Sequence, residues 1–441
     1  MNVLFIWPNR DTFGTKPIGI SMLSALLNKA GHKTDLFDTT FYDVGITDYN
    51  EDLTSKGYFK PVDWGVDVSK KKVSVKDALK KKLEAFNPDV VAISVLSDEV
   101  ELAVSLLDLI KVPIVVGNKG VDKFRQQTAM RGGITYYFGE ALENFVKTIE
   151  NLKDKNQNYC EVIQSPGFFK NIDSLPYLDW DMFDDRHFLK AYDGKVYRGG
   201  DYMVGWGCTN SCTYCVNEYW RNLHGGSGGC MRFMSTDMVT EELDHLRNKY
   251  RLNFIKFHDE DFLLKAAPYF EDLARLYIET INLPFVCMTN AKSVTPHKAR
   301  ILTEMGCKSV SIGIETGDPT MRQILNRRET PDNIIYAVNI LQMNGIRVSA
   351  FNMIGLPYET ERTVEATIKL NKEAGIAHPN ISFFMPLEGT RLYDISVAAG
   401  FFNPRSGKEL RTDRPTLKLP GISEKKLLYY YDNFHKLVTG E

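Results

Sequence analysis

The sequence predicts an α/β protein in two parts. A doubly wound parallel sheet spans residues 1–150, a (β/α)6 partial barrel spans 201–390, and a short mixed tail covers 391–441. Three observations predict this. Short, β-branched apolar runs alternate with helical stretches in both parts, as strands covered on both faces of a parallel sheet require. The alternation lapses over 151–200, which read as a connector. Three cysteines then crowd into 205-GWGCTNSCTYCVNEYW-220, directly after the expected first barrel strand, and barrel sites lie at strand ends of this kind.

The front part begins with strands at 2–7, 33–37, 89–94, 112–117 and 134–138. The first helix runs from Pro17 to Gly31, with proline at its start and glycine just past its end. Further helices fall near 76–86, 98–110, 120–131 and 140–152. Residues 39–75 read as an insertion over the C-terminal edge of the sheet. Barrel strands are expected at 201–206, 253–258, 284–289, 308–313, 346–352 and 380–384. Helices are expected near 236–250, 268–282, 296–306, 331–344 and 360–374, with a last one near 423–438. A parallel sheet of six such units curls toward a barrel.

Composition narrows the function. The chain has 441 residues, too many for one ordinary core. Its formal net charge is -2, so no nucleic-acid partner is implied. No run of about 18 apolar residues marks a membrane helix. The opening MNVLFIWPNRD is too short an apolar run for a signal peptide. A cytoplasmic protein is therefore expected. Its seven cysteines are an odd number, and reduced thiols are the default without an export signal.

Cys208, Cys212 and Cys215 follow a Cys-x3-Cys-x2-Cys spacing. Three thiolates on one loop can hold three irons of a four-iron, four-sulfur cubane, leaving the fourth iron open for chemistry. Zinc is the competing metal, but a structural zinc site wants four ligands, and no fourth Cys or His falls at a matching spacing. The plain alternative is three unrelated buried cysteines. Cys160, Cys230, Cys287 and Cys307 show no mutual spacing for a second cluster. Cys287 and Cys307 read as core residues, and Cys230 closes a flexible glycine-rich loop.

With Tyr214 just before the third cysteine, the motif resembles that of the radical S-adenosylmethionine (SAM) superfamily, CxxxCxxC with that aromatic. The resemblance implies that SAM chelates the fourth iron and is cleaved reductively to methionine and a 5′-deoxyadenosyl radical, which abstracts hydrogen from a carbon. Other segments resemble the family as well. In 254-FIKFHDEDF-262, Asp259, Glu260 and Asp261 match its acidic pair near the methionine part of SAM; a helix-start cluster is the alternative. Asn290 matches a ribose contact or serves as a cap. In 311-SIGIETGDPTMRQILNRR-328, Glu315 matches the glutamate at the barrel mouth and Arg328 follows at the usual distance. The GLPYET run is chiefly structural, with Thr360 capping the next helix.

The front part resembles the cobalamin-binding domain that precedes one branch of that superfamily. The segment 17-PIGISMLSALLNKAGHKTDLFD-38, with Pro17 and Ser21, matches that group's first helix and second strand. The segment 139-GEALENFVKTI-149 matches its glycine-glutamate helix start at Gly139 and Glu140. One departure stands at 115-VVGNKGVDK-123, where Asn118 after Gly117 replaces a second glycine, and the Asp-x-His-x-x-Gly motif is absent. The corrin would lie over the strand ends against loops at 8–17, 94–98 (with Ser94), 117–120 and 139–140. A domain that no longer binds cobalamin is the alternative.

The resemblance implies a cobalamin-dependent radical SAM enzyme that methylates an unactivated carbon or phosphorus of a small molecule, with a flavodoxin or ferredoxin as electron donor. The alternatives are a rearrangement or cyclisation without methyl transfer and, in a different class, an iron–sulfur redox sensor. Methylthiotransferases fit poorly, because no cysteine precedes Cys160 and no basic tail follows. No catalytic acid, base or hydrogen donor is assigned.

Overall fold

The structure is a computed structural model that describes residues 1–10, 13–45, 54, 61–153, 155, 158–226, 229–404 and 413–440. Much of the expected insertion, at 46–53 and 55–60, lies outside the described residues. So do residues 227 and 228 of the glycine-rich loop and 405–412 of the tail. The chain divides into two compact units. The front unit comprises Met1–Asp201 with Leu223–Gly229, and the barrel unit comprises Tyr202–Asn222 with Cys230–Glu441.

In the front unit, β1 (Asn2–Trp7), β2 (Lys33–Asp38), β3 (Val90–Ser94), β4 (Ile114–Gly117), β5 (Ile134–Phe138) and β6 (Cys160–Gln164) form one sheet in the order β2-β1-β3-β4-β5-β6. Every described pairing is parallel. Helices cover both faces. Leu4 and Ile6 of β1 enter a core with Val75 and Leu79 of α2 (Val75–Phe86), Ala103 of α3 (Val100–Leu106) and Phe124 of α4 (Val121–Thr128). On the other face Phe5 stacks on Phe145 of α5 (Phe145–Asn151) at 6.2 Å. The first helix, α1 (Ile18–Lys29), starts after Pro17. Strand order reverses beside β1, so the loops after β1 and β3 flank the crevice where doubly wound sheets bind ligands.

The expected connector is not a bare link, since it supplies β6. That rim strand alternates exposed and half-buried residues, so it lacks the continuous apolar run of the inner strands. The connector also forms a hairpin of β7 (Leu189–Tyr192) and β8 (Lys195–Tyr202). Its turn residues Asp193 and Gly194 both have positive φ, 50° and 70°, the signature of a type I′ turn. The expected first barrel strand at 201–206 is therefore displaced. Tyr202 ends β8, and 205–206 form only a two-residue strand, β9 (Gly205–Trp206), paired antiparallel with β10 (Arg232–Phe233).

In the barrel unit, β11 (Phe254–Phe257), β12 (Phe285–Thr289), β13 (Cys307–Glu315), β14 (Arg347–Ile354) and β15 (His378–Phe383) follow one another in parallel, and the His258 amide bonds the Tyr202 carbonyl at 2.8 Å. Helices return between them: α6 (Val216–Leu223), α7 (Thr236–Tyr250), α8 (Ala267–Thr280), α9 (Pro296–Glu304), α10 (Pro319–Ile324), α11 (Pro331–Met343) and α12 (Glu361–Glu373). The tail adds α13 (Arg391–Ala398) and α14 (Glu424–Thr439). Tyr431 and Phe434 of α14 pack with Ile381 and Phe383 of β15, covering the last strand. Short polar caps start these helices. Thr330 and Thr360 each form a reciprocal capping box, worth about 1 kcal/mol apiece.

Candidate active site

The cysteine loop is held by hydrogen bonds from three directions. Arg221 of α6 reaches back to the Cys208 carbonyl at 2.9 Å and the Asn210 carbonyl at 2.7 Å. From the segment after α10, Asn326 bonds the Ser211 carbonyl at 2.7 Å, and the Thr213 amide bonds the Leu325 carbonyl at 3.1 Å. From the tail, Arg391 bonds the Ser211 carbonyl at 2.8 Å and Glu218 at 2.9 Å. Gly207 has φ +92°, and a Cβ there would lie 2.1 Å from the Cys230 carbonyl oxygen. Only glycine lets the chain enter the loop so close to that backbone.

Cys212 is buried, and Cys208 and Cys215 are half-buried. Burial pushes the Cys208 thiol upward, and an amide hydrogen bond from Asn210 at 3.4 Å counters it. Arg327 lies 3.8 Å from the Cys212 sulfur and 3.5 Å from the Tyr214 hydroxyl. Among the described residues no three His, Cys, Asp or Glu side chains converge tightly enough for a single metal ion. Three thiolates that each bind a different iron of a cubane need not converge on one ion.

Glu315 and Arg327 are the charged centre beside this loop. Glu315 ends β13 at φ 64°, and its side chain folds back so far that a Cβ on Gly313 would lie 2.4 Å from its carboxylate. Burial raises the Glu315 carboxyl, while Arg327 and the Tyr214 hydroxyl pull it down. Burial also works against the Arg327 charge, but Tyr214, Glu315, Glu329 and Cys212 outweigh it and hold the guanidinium protonated. Behind Arg327, Glu329 also pairs with Arg322 at 3.3 Å and accepts a hydrogen bond from Asn290. The Arg327 Nε is buried with no hydrogen-bond partner.

The expected site residues separate into two groups. Tyr214, Glu315 and the three cysteines come together. Glu260 is half-buried and accepts from Asn217 of α6 at 3.5 Å. Its neighbours are bonded within the protein. Asp259 is buried, accepts the Val204 and Gly205 amides at 3.0 and 3.1 Å, and pairs with buried Lys265 at 2.7 Å. Asp261 accepts the Thr289 and Ser293 hydroxyls at 2.5 and 2.6 Å. Asn290 is a cap, accepting the Lys292 amide at 2.9 Å. Arg328 is exposed, which corrects the expectation by one residue. Asn326 takes a left-handed φ of 52°, and the turn sends Arg327 inward. No pattern in the sequence separates these adjacent arginines.

On the front sheet, Ser94 and Asn118 meet at the ends of β3 and β4, with the Asn118 amide bonding the Ser94 hydroxyl at 3.0 Å. Asn118 has φ 81°, so asparagine here supplies the left-handed backbone that a glycine would. Gly117 pairs with Ser94 in the sheet. Pro17 and Ser21 do not present polar groups there: the Ser21 hydroxyl is fully buried and bonds the Pro17 carbonyl at 3.1 Å. Gly139 is covered, because a Cβ on it would lie 2.6 Å from the His224 ring and 2.7 Å from Ser165. Glu140 accepts the Phe169 amide at 2.6 Å. His224, whose ring lies tilted 4.5 Å from that of Phe168, was not singled out in the sequence. A corrin placed on this edge thus has Ser94, Gly117 and Asn118 available to hold it.

Residues 202–370 match the Radical SAM superfamily, so the barrel unit carries a radical SAM domain. Over 278 residues the chain is 26% identical to an uncharacterised methyltransferase of Pyrococcus horikoshii, covering 63% of this chain and 57% of that protein. The chain thus spans little more than half of that relative. An anaerobic magnesium-protoporphyrin IX monomethyl ester cyclase of Rubrivivax gelatinosus is 20% identical over 418 residues, covering 88% of this chain and 68% of the cyclase. Among solved structures, the radical SAM methyltransferase TsrM from Kitasatospora setae, with cobalamin and a [4Fe-4S] cluster bound, superposes with a TM-score of 0.62 at 15% identity, over 98% of this chain and 85% of TsrM. That likeness extends through both the doubly wound sheet and the curled barrel sheet.

Proposed function

We propose that this chain is a cobalamin-dependent radical SAM enzyme that methylates a small molecule. The observation that carries the reading is the cysteine loop itself, with Cys208, Cys212 and Cys215 set against Arg327, Tyr214 and Glu315 in a domain of this superfamily. When bound, a cubane cluster supplies one electron and an open iron, and cobalamin supplies a transferable methyl group. The residues of the chain do the positioning. Arg327 lies beside the Cys212 sulfur, and Arg221, Asn326 and Arg391 fix the loop carbonyls. Glu315, beside Tyr214 and Arg327, and Glu260, beside Asn217, are the carboxylates that would meet the amino and hydroxyl groups of SAM. Ser94, Gly117 and Asn118 line the sheet edge for the corrin.

A second reading, radical rearrangement or cyclisation without methyl transfer, draws on the similarity of most of the chain to the protoporphyrin ester cyclase. Product analysis decides between them. The reduced, cobalamin-loaded chain supplied with SAM is expected to form S-adenosylhomocysteine as well as 5′-deoxyadenosine, from separate polar and radical cleavages. Abundant 5′-deoxyadenosine with no S-adenosylhomocysteine would overturn the methylase reading in favour of the second.

A further inference from the structure

The front sheet ends on an open edge. β6 is its last strand, paired with β5 along Cys160–Gln164, and no described strand lies beyond it. The Gly133 amide bonds the Tyr159 carbonyl at 2.6 Å, and the Ser165 amide bonds the Phe138 carbonyl at 2.8 Å. The odd-numbered residues therefore turn their backbone groups toward β5. Backbone groups alternate sides along a strand, so the amides and carbonyls of Cys160, Val162 and Gln164 form a row on the outer edge. The side chains of these three residues are exposed as well, Val162 to 46%. The Gln164 side chain bonds the Leu223 carbonyl at 3.2 Å, which leaves its backbone groups in the row. Pro166 follows on the same side, with no N–H to continue it.

The opposite edge of the sheet is guarded by charge. β2 carries Lys33, Asp35 and Asp38 among its six residues, and Lys82 pairs with Asp35 at 2.6 Å. Charges of this kind oppose pairing with a further strand. β6 has Glu161 as its only charge. Its outer row is also self-complementary. Antiparallel pairing with its own copy about Val162 sets Val162 opposite Val162 and Cys160 opposite Gln164. Each of these residues then exchanges two N–H···O bonds with the one it faces, so every outward amide and carbonyl of the three is used. Glu161 faces Ile163 of the copy rather than its own counterpart, so no like charges meet.

We infer that β6 is a self-association edge, where two copies of this chain join their front sheets by antiparallel pairing about a two-fold axis at Val162. Neither cluster nor corrin is needed for it. The contact is small, so the dimer is expected to exchange with monomer. Sedimentation velocity of the full chain over a concentration series should show that reversible dimer. Val162→Pro removes an outward amide without taking a bond from the ladder with β5. It is expected to weaken association about tenfold or more, while Val162→Thr retains it. A second arm reads the register even where the proline variant misfolds. Residues facing each other as Cys160 and Gln164 do here lie about 5.5 Å apart at Cα, within disulfide reach. Gln164→Cys treated with oxidised glutathione should therefore give chains joined through Cys160 and the new thiol, identified by peptide mass mapping. Wild type should give no linked chains. A wild-type chain that stays monomeric throughout the series leaves the edge to another occupant and overturns the inference. So does association unchanged in a folded Val162→Pro chain, absence of linkage in Gln164→Cys, or linkage of Cys160 to Cys160 in wild type.

Discussion

Gly313 shows how finely the site is set at the level of single residues. It has an ordinary backbone conformation, so its role is space: a methyl group there would sit 2.4 Å from the Glu315 carboxylate and 3.5 Å from an Arg327 nitrogen. Gly313→Ala is therefore expected to swing Glu315 off the strand while leaving the fold intact. SAM affinity of the reconstituted protein should drop by roughly tenfold or more, the scale of one lost charge-assisted contact, with iron content unchanged. Loss of iron together with affinity would instead place Glu315 among the groups that organise the cluster loop. At this scale the sequence was legible in part. Cysteine spacing and the aromatic before Cys215 are local patterns, readable without a fold. Asp259, Asp261 and Asn290 looked like ligands because a motif names residue types, but it does not show which carboxylates the neighbouring amides and hydroxyls consume. Arg327 was missed because a left-handed residue at Asn326 decides which of two arginines turns inward, and that conformation leaves no mark in the composition.

Among the elements, the turn between β14 and α12 carries the clearest measurable consequence. Glu359 is buried and accepts the Gly355 and Leu356 amides, yet its second oxygen is buried with no hydrogen-bond partner. Burial pushes its carboxyl from the ordinary 4.5 up to about 8, against the pull of those two amides. The native state therefore keeps a proton that the unfolded chain has released, and stability falls as pH rises from about 4.5 to about 8, levelling off above. A glutamine in its place would mimic the protonated acid at every pH. The stability of Glu359→Gln relative to wild type, read by denaturant unfolding, should thus grow between pH 5 and pH 9, by roughly 2–4 kcal/mol. A difference independent of pH would mean that Glu359 ionises normally in the fold. Helices and inner strands were the most legible elements: α7 runs from Thr236 to Tyr250 as the pattern predicts. Rim elements were not. β6 is half exposed, and the β7–β8 hairpin is announced only by Asp193-Gly194, a two-residue signal inside a stretch without periodicity.

For the whole molecule, the chain divides into a front unit and a barrel unit, and the proposal puts the corrin on the front sheet and the cluster in the barrel unit. The front sheet and strands β11–β15 of the barrel sheet are parallel, so each gathers its loops at the C-terminal strand ends. Full-length chain loaded with hydroxocobalamin should carry corrin absorbance through a sizing column, in a base-off spectrum because no Asp-x-His-x-x-Gly motif supplies a lower ligand. Asn118→Phe, which fills the edge beside Ser94, should release the corrin without loss of iron. Retention by the variant equal to wild type would move the corrin, if bound, off this edge. The cluster is tested by cysteine replacement in the reconstituted chain. Wild type, Cys212→Ala and Cys307→Ser are reconstituted anaerobically with iron and sulfide, reduced with dithionite and given SAM, and iron and 5′-deoxyadenosine are quantified. Wild type and the Cys307 variant should hold about four irons per chain and release 5′-deoxyadenosine and methionine in equal amounts, while the Cys212 variant should do neither. Zinc in place of iron, or full cluster content and SAM cleavage in Cys212→Ala, would contradict the claim.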